Sequence, residues 1–206
     1  ELPPGNYTLT QPDQPPGTLN GITVPGTGGG TATGPQTTPS VVAGITLGVG
    51  QEAGANNFGE IPVGSVAGRV FNDSNNNGLV DPGEAGIAGV QVVLTGNNDL
   101  GEAIDVSVVT DAEGRYRFDD LRPGTYALTQ PVQPPETLNG ITSAGTIDGT
   151  VVGSATPVEV TPSAITAIVL PTGGQSIDND FGETLPVSLS GRVFFDADND
   201  GAQSGP

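Results

Sequence analysis

Cysteine, histidine and lysine are absent from this 206-residue chain, and positive charge is scarce. Without cysteine there is neither a disulfide nor thiol chemistry, and the redox compartment cannot be read from cysteine usage. Without histidine there is no imidazole base and no histidine-based zinc site. The basic residues are Arg69, Arg115, Arg117, Arg122 and Arg192, so no lysine is available for a Schiff base. Catalysis would be left to carboxylates with Ser, Thr or Tyr. Asp119 and Asp120 are adjacent, and neighbours on a strand point to opposite faces, whereas a glycosidase needs its two carboxyls facing one bond. The chain therefore reads as non-catalytic. A net charge of −18 argues against nucleic acid, which needs a basic stripe to displace counterions, and against an anionic membrane surface. No apolar run approaches the length of a membrane span. No signal peptide opens the sequence, and a leader or an anchor would lie outside this stretch. The charge suits an extracellular, calcium-rich or salty medium, where cations offset self-repulsion.

What is abundant is punctuation: 33 Gly and 19 Pro against 34% hydrophobic residues. No helical pattern appears. Strand-like runs do, at Val66–Phe71, Val90–Thr95, Val106–Thr110, Arg115–Phe118, Thr125–Gln130, Pro157–Val160 and Ile165–Leu170, separated by Gly, Asp, Asn and Pro. Short strands with such turns predict an all-β chain built from antiparallel β-sandwich domains. Only three Tyr and six Phe contribute aromatic bulk to the core.

Asp73 to Glu84 reads D-S-N-N-N-G-L-V-D-P-G-E. Asp73, Asn75 and Asn77 place side-chain oxygens at positions 1, 3 and 5 of a calcium loop. Gly78 occupies position 6, where the loop turns sharply. Leu79 offers a carbonyl at position 7, Asp81 stands at position 9, and Glu84 at position 12 has two oxygens to close the site. The flanks, Val66–Phe71 and Gly86–Leu94, are β-rich, so the loop joins strands rather than the two helices of an EF-hand. The alternative is a polar turn that binds nothing, but such a turn has no need of Glu84.

The chain also repeats. Leu2–Thr23 and Leu121–Thr142 differ at five of 22 positions, 119 residues apart. Asn57-Phe58-Gly59-Glu60 returns as Asp180-Phe181-Gly182-Glu183, and Gly68-Arg69-Val70-Phe71 as Gly191-Arg192-Val193-Phe194, both 123 residues apart. The change of offset puts a four-residue insertion in the second copy, expected in the Gly/Thr-rich stretch Val24–Thr38 and its counterpart Ser143–Thr161. The expected organisation is residues 1–60 as the back half of one unit, 61–183 as a complete unit and 184–206 as the start of a third, a window on a tandem array of whole domains. The joint Glu60-Ile61-Pro62-Val63-Gly64 is short, and its proline favours a stiff connection. The calcium loop starts again at Asp196, Asp198 and Asp200, with Ala202 at position 7 and Ser204 at position 9. Position 12 would fall after Pro206.

The order of these motifs resembles the B-type repeats of serine-aspartate-repeat adhesins, within the collagen-adhesin B-like group. Gly68-Arg69-Val70-Phe71, the calcium loop, Gly86–Val92, Thr110–Phe118 and Leu121–Tyr126 follow one another as in that family. The resemblance implies a prealbumin-like β-sandwich stiffened by Ca2+ and used as a stalk or spacer at a cell surface. It also implies room for more than one calcium per unit. Asp111, Glu113, Asp119 and Asp120 are the nearest acidic candidates for a second site, against the plainer reading of solvated turn carboxylates. Many domains of the group carry a Lys–Asn isopeptide crosslink, which a chain without lysine cannot form.

Two functional classes follow. One is a structural module whose partners are neighbouring repeats of the same chain, or further copies in a filament. The other is a binding module using sandwich loops on a carbohydrate or protein, with 131–156 long enough to serve as a binding loop.

Overall fold

The computed structural model describes all residues except 159, 197–199 and 203–206. Among the described residues there is no helix. Two groups of sheets follow each other along the chain. The first contains β1 (Gly5–Gln11), β2 (Thr18–Val24), β3 (Thr31–Ala32), β4 (Ser40–Leu47) and β5 (Asn57–Pro62), arranged as a β1-β4-β3 sheet and a β2-β5 pair. The second contains β6 (Gly64–Asn72), β7 (Gln91–Asn98), β8 (Ala103–Val109), β9 (Arg115–Leu121), β10 (Gly124–Gln130), β11 (Leu138–Ser143), β12 (Thr146–Ile147), β13 (Thr150–Val151), β14 (Ser154–Ala155), β15 (Ser163–Leu170), β16 (Gln175–Ser176) and β17 (Asp180–Thr184). Its two larger sheets run β14-β15-β10-β7-β8 and β11-β17-β6-β16, with β9 also on β6.

Strict alternation makes the sandwich. Tyr126 and Leu128 on β10, Tyr116 and Phe118 on β9, and Val92 and Leu94 on β7 all point inward while their neighbours face out. They meet Val66 and Val70 of β6, Ile165, Ile168 and Leu170 of β15 and Phe181 of β17 in one core. Each fully buried side chain of this size contributes about 1.5–3 kcal/mol. The pairing is mainly antiparallel, as the sequence predicts, but β6 pairs in parallel with both β16 and β17.

Two expectations need correction. In the expected strand Pro157–Val160, the described residues Pro157, Val158 and Val160 lie outside any strand. The Val160 amide donates to the Pro157 carbonyl at 3.0 Å, which closes a turn, and a proline has no amide to give a ladder. The stretch 131–156 is not a long loop either, because it carries β11 to β14. The four inserted residues build the β12–β13 hairpin, whose Asp148 and Gly149 have φ of 50° and 76°, the positive values a tight two-residue hairpin turn requires.

Candidate metal centre

Strand β6 ends at Asn72 and delivers Asp73 into the loop as a fully buried carboxylate. The Asp73 amide donates to the Glu183 carbonyl at 2.7 Å, which ties the start of the loop to β17. Asp73 Oδ1 accepts from the Asn77 amide at 3.0 Å and Oδ2 from the Gly78 amide at 2.7 Å. Gly78 has a φ of 72°, and a side chain there would strike Ile141 at 2.5 Å, so glycine is required at this turn. The side-chain Nδ2 groups of Asn75 and Asn77 both donate to Asp81 Oδ2, each at 2.9 Å. Asn77 Oδ1 accepts from the Leu79 amide at 2.8 Å.

Glu84 staples the two halves of the loop. Its Oε1 accepts from the Ser74 amide and hydroxyl at 2.8 and 3.0 Å, and its Oε2 from the Asp81 amide at 3.0 Å. Those bonds, the one from Asp81 foremost, hold the Glu84 carboxyl below its usual range against a smaller effect of desolvation. Asn72 and Ala85 close the base through an amide–carbonyl bond of 2.9 Å.

This donor set fits a hard cation. Asp73, Asn75, Asn77, Asp81 and Glu84 are brought together, all carry oxygen, and the Leu79 carbonyl belongs to the same turn. Among the described residues no three acidic, histidine or cysteine side chains cluster tightly enough to hold a metal alone, so the oxygens of Asn75 and Asn77 are needed. Both amides already converge on the Asp81 carboxylate, and a half-turn of each would present oxygen in place of nitrogen.

The second loop reproduces the local pattern. Asp196 Oδ1 accepts from the Asp200 amide at 3.2 Å and Oδ2 from the Gly201 amide at 2.8 Å, while Asp200 Oδ1 accepts from the Ala202 amide at 2.7 Å. These are the bonds of Asp73, Asn77 and Leu79 shifted by 123 residues. Asp198 and Ser204 lie outside the described residues. The four acids considered for a further site are not gathered at one point. Asp111 and Glu113 precede β9, where Asp111 Oδ1 accepts from the Glu113 and Arg115 amides at 3.0 and 2.7 Å. Asp119 and Asp120 lie toward the far end of β9, and Asp119 pairs with Arg117.

A polar cluster beside the loop has no counterpart in the motif reading. Glu183 is 1% exposed. Its Oε1 accepts from Gln130 Nε2 at 2.6 Å, and its Oε2 accepts from Gln133 Nε2. In the first copy Glu60 accepts from Gln11 Nε2 at 2.8 Å and from Gln14 Nε2. Burial raises the Glu183 carboxyl above its usual range, and the glutamine bonds partly offset this. The sequence signal was the Gln-Pro-x-Gln-Pro-Pro segment shared by both copies; in each copy its two glutamines clamp one glutamate, buried at Glu183 and half-buried at Glu60.

The family model for the SdrD B-like domain matches residues 64–182. Serine-aspartate repeat-containing protein D of Staphylococcus aureus strain MW2 is 30% identical over 142 residues, covering 69% of this chain and 10% of that protein. Serine-aspartate repeat-containing protein C of strain MRSA252 is 32% identical over 137 residues, covering 65% of this chain and 14% of that protein. The chain thus spans only a small part of the curated relatives it matches. Among solved structures, the crystal structure of the major plantain pollen allergen Pla l 1 aligns with a TM-score of 0.35 at 18% identity, over 63% of this chain and 99% of that one. With its β-sandwich and the matched stretch from β6 to β17, the chain belongs to the SdrD B-like domain family.

Proposed function

We propose that the chain is a non-catalytic, calcium-binding structural repeat of an extracellular surface protein, serving as a rigid spacer or as the building unit of a surface fibre. The units are residues 1–60, 61–183 and 184–206, each a partner of its neighbours. The observation that carries the reading is the Asp73–Glu84 loop. Its oxygen donors are gathered by backbone bonds, its first ligand is buried, and its base is fastened to β17 by the 2.7 Å bond from Asp73 to Glu183. A bound calcium ion would supply the positive charge that this cluster of carboxylates and amides offers to share. Asp73, Asn75, Asn77, Asp81 and Glu84 would hold it with the Leu79 carbonyl, and Asp196, Asp198, Asp200, Ala202 and Ser204 would begin the next such site.

A binding role has less support. A groove of about 680 Å³ mixes Arg69, Arg115 and Arg117 with Asp111, Asp178 and Asp180. Its aromatic residue, Tyr116, is buried and donates its hydroxyl to the Asn179 carbonyl at 2.5 Å, so it offers no open ring for a sugar to stack on.

The test is thermal unfolding in millimolar calcium and in EDTA, with Glu84→Ala and Asp73→Ala beside the wild type. At calcium about a hundredfold above its Kd, the expected gain of about 2.7 kcal/mol raises the midpoint by about 5–10 °C, and either substitution removes most of that rise. An equal midpoint in calcium and EDTA would leave the loop as a polar turn. Negative-stain images separate the two structural forms, isolated rods meaning a spacer and ordered fibres an assembly.

A further inference from the structure

One residue, Val63, separates β5 from β6. Its amide donates to the Gly17 carbonyl at 3.1 Å, and Pro62 lies so close to Gly173 that an added Cβ there would stand 3.2 Å from its ring. A third contact crosses this joint. Arg122, in the turn between β9 and β10, donates from Nη1 to the Asn20 carbonyl of β2 at 2.8 Å. Its Nε and Nη2 donate to the two carboxylate oxygens of Asp99 at 2.6 and 3.0 Å. Asp99 is itself fixed, its amide donating to the Pro123 carbonyl at 2.8 Å. The guanidinium is a rigid planar fork. One edge is held by Asp99 of its own sandwich, and the remaining nitrogen is aimed at the preceding group of sheets.

The acceptor is placed by a bulge. The β2–β5 register shifts between Asn20 and Thr23, and such a shift interrupts the ladder and re-aims backbone groups. The same shift recurs between Asn139 and Thr142 where β11 meets β17. The acceptor site is therefore present in both copies. The donor is not, because Pro3 occupies the place of Arg122 in the first copy, and proline has no side-chain donor.

We propose that Arg122 is an inter-unit latch whose partner is the bulge carbonyl of the preceding unit. A unit with arginine here holds a fixed angle to its predecessor; a unit with proline does not. Which residue stands at this position in each unit would thus set where the array is stiff and where it bends. The inference builds on the spacer reading but needs no cation in the loop.

The absence of cysteine makes the test clean. Thr10→Cys and Ser107→Cys, both at exposed positions, carry one spin label in each group of sheets, and the interlabel distance distribution is recorded for the 206-residue chain. Separate domains move freely unless their contact is specific, so Arg122→Ala is expected to broaden the distribution at least about twofold. Arg122→Lys should broaden it less, since an ammonium lacks the fork. The melting midpoint of the second sandwich should stay within about 2 °C; if Arg122→Ala lowers it further, the longer Arg122→Gln carries the comparison. A width unchanged in Arg122→Ala or Arg122→Gln, or a wild-type width already as broad as theirs, overturns the latch. Thermal unfolding in EDTA beside these spectra keeps the two ideas apart: failure of the calcium reading appears in the midpoint, and failure of the latch in the width.

Discussion

Leu2–Thr23 and Leu121–Thr142 are nearly the same sequence in two different surroundings. Both make a strand with an irregularity at the same place, between Tyr7 and Leu9 and between Tyr126 and Leu128. Both send two glutamines onto one glutamate. Yet Leu128 is fully buried while Leu9 is 41% exposed, and Tyr126 and Glu183 are buried where Tyr7 and Glu60 are half-buried. The cause is what lies alongside. Strand β10 pairs with both β15 and β7 and faces the sheet of β6 and β9; β1 pairs with β4 alone. Local sequence therefore dictates the strand, its irregularity and the polar clamp, but the core is supplied by elements distant in the chain.

The largest effect expected from this contrast is at the leucines. Leu128→Ala should cost about 2–5 kcal/mol, the usual loss on emptying a packed site, and Leu9→Ala under about 1 kcal/mol. Urea unfolding followed by hydrogen exchange in each group of sheets measures both, and equal losses would mean that β1 is covered as well as β10.

The next effect concerns Asp180, which stands where the first copy has Asn57. Desolvation chiefly, with help from Asp178, raises its carboxyl to about 6, against the pull of the Arg69 amide bonded to Oδ1. A folded-state value above the unfolded one means that the folded protein binds more protons between the two, so stability falls as pH rises from about 4 to about 6, by up to about 3 kcal/mol. Asp180→Asn imports the first copy's residue and keeps an oxygen for the Arg69 amide. It should be more stable at pH 7 and lose most of that slope in urea midpoints taken across the range. Glu183, raised in the same direction by burial, leaves a remainder. An unaltered slope would place the proton elsewhere.

The smallest effect is at the irregularity itself. Ala167 of β15 has a φ of 56°, and the corresponding residue of β4 is Gly44 at 74°. Alanine is strained in this region and glycine is not. Ala167→Gly should stabilise by about 0.5 kcal/mol and Gly44→Ala should destabilise; calorimetric midpoints moving the other way would show that entropy of the unfolded chain outweighs the strain.

Much of the fold was legible because it is local. Alternation marks β7, β9 and β10, and the repeat offsets locate the joint and the insertion. The hairpin of β12 and β13 carried its own signal in Asp148-Gly149, obscured by its Gly/Thr-rich neighbours. Strand β11 did not, because its partner β17 lies far along the chain, and no local pattern reports a distant pairing. In the candidate site, spacing picked out the oxygen-bearing residues. It could not say that Glu84 would bond the Ser74 and Asp81 amides, since side-chain direction is fixed only once the loop has closed. Arg122 was equally silent: a lone arginine in a turn reads as surface charge until the preceding sheets bring Asn20 beside it.

The parallel run of β6 against β17 pairs Val70 with Phe181, Phe71 with Gly182 and Asn72 with Glu183. These are the first and last strands of the second sandwich, lying side by side and pointing the same way. Tension applied through the chain at both ends pulls them in opposite directions along their length. The bonds between them are then sheared together rather than peeled one at a time, and the strand that starts the sandwich becomes its brace under load.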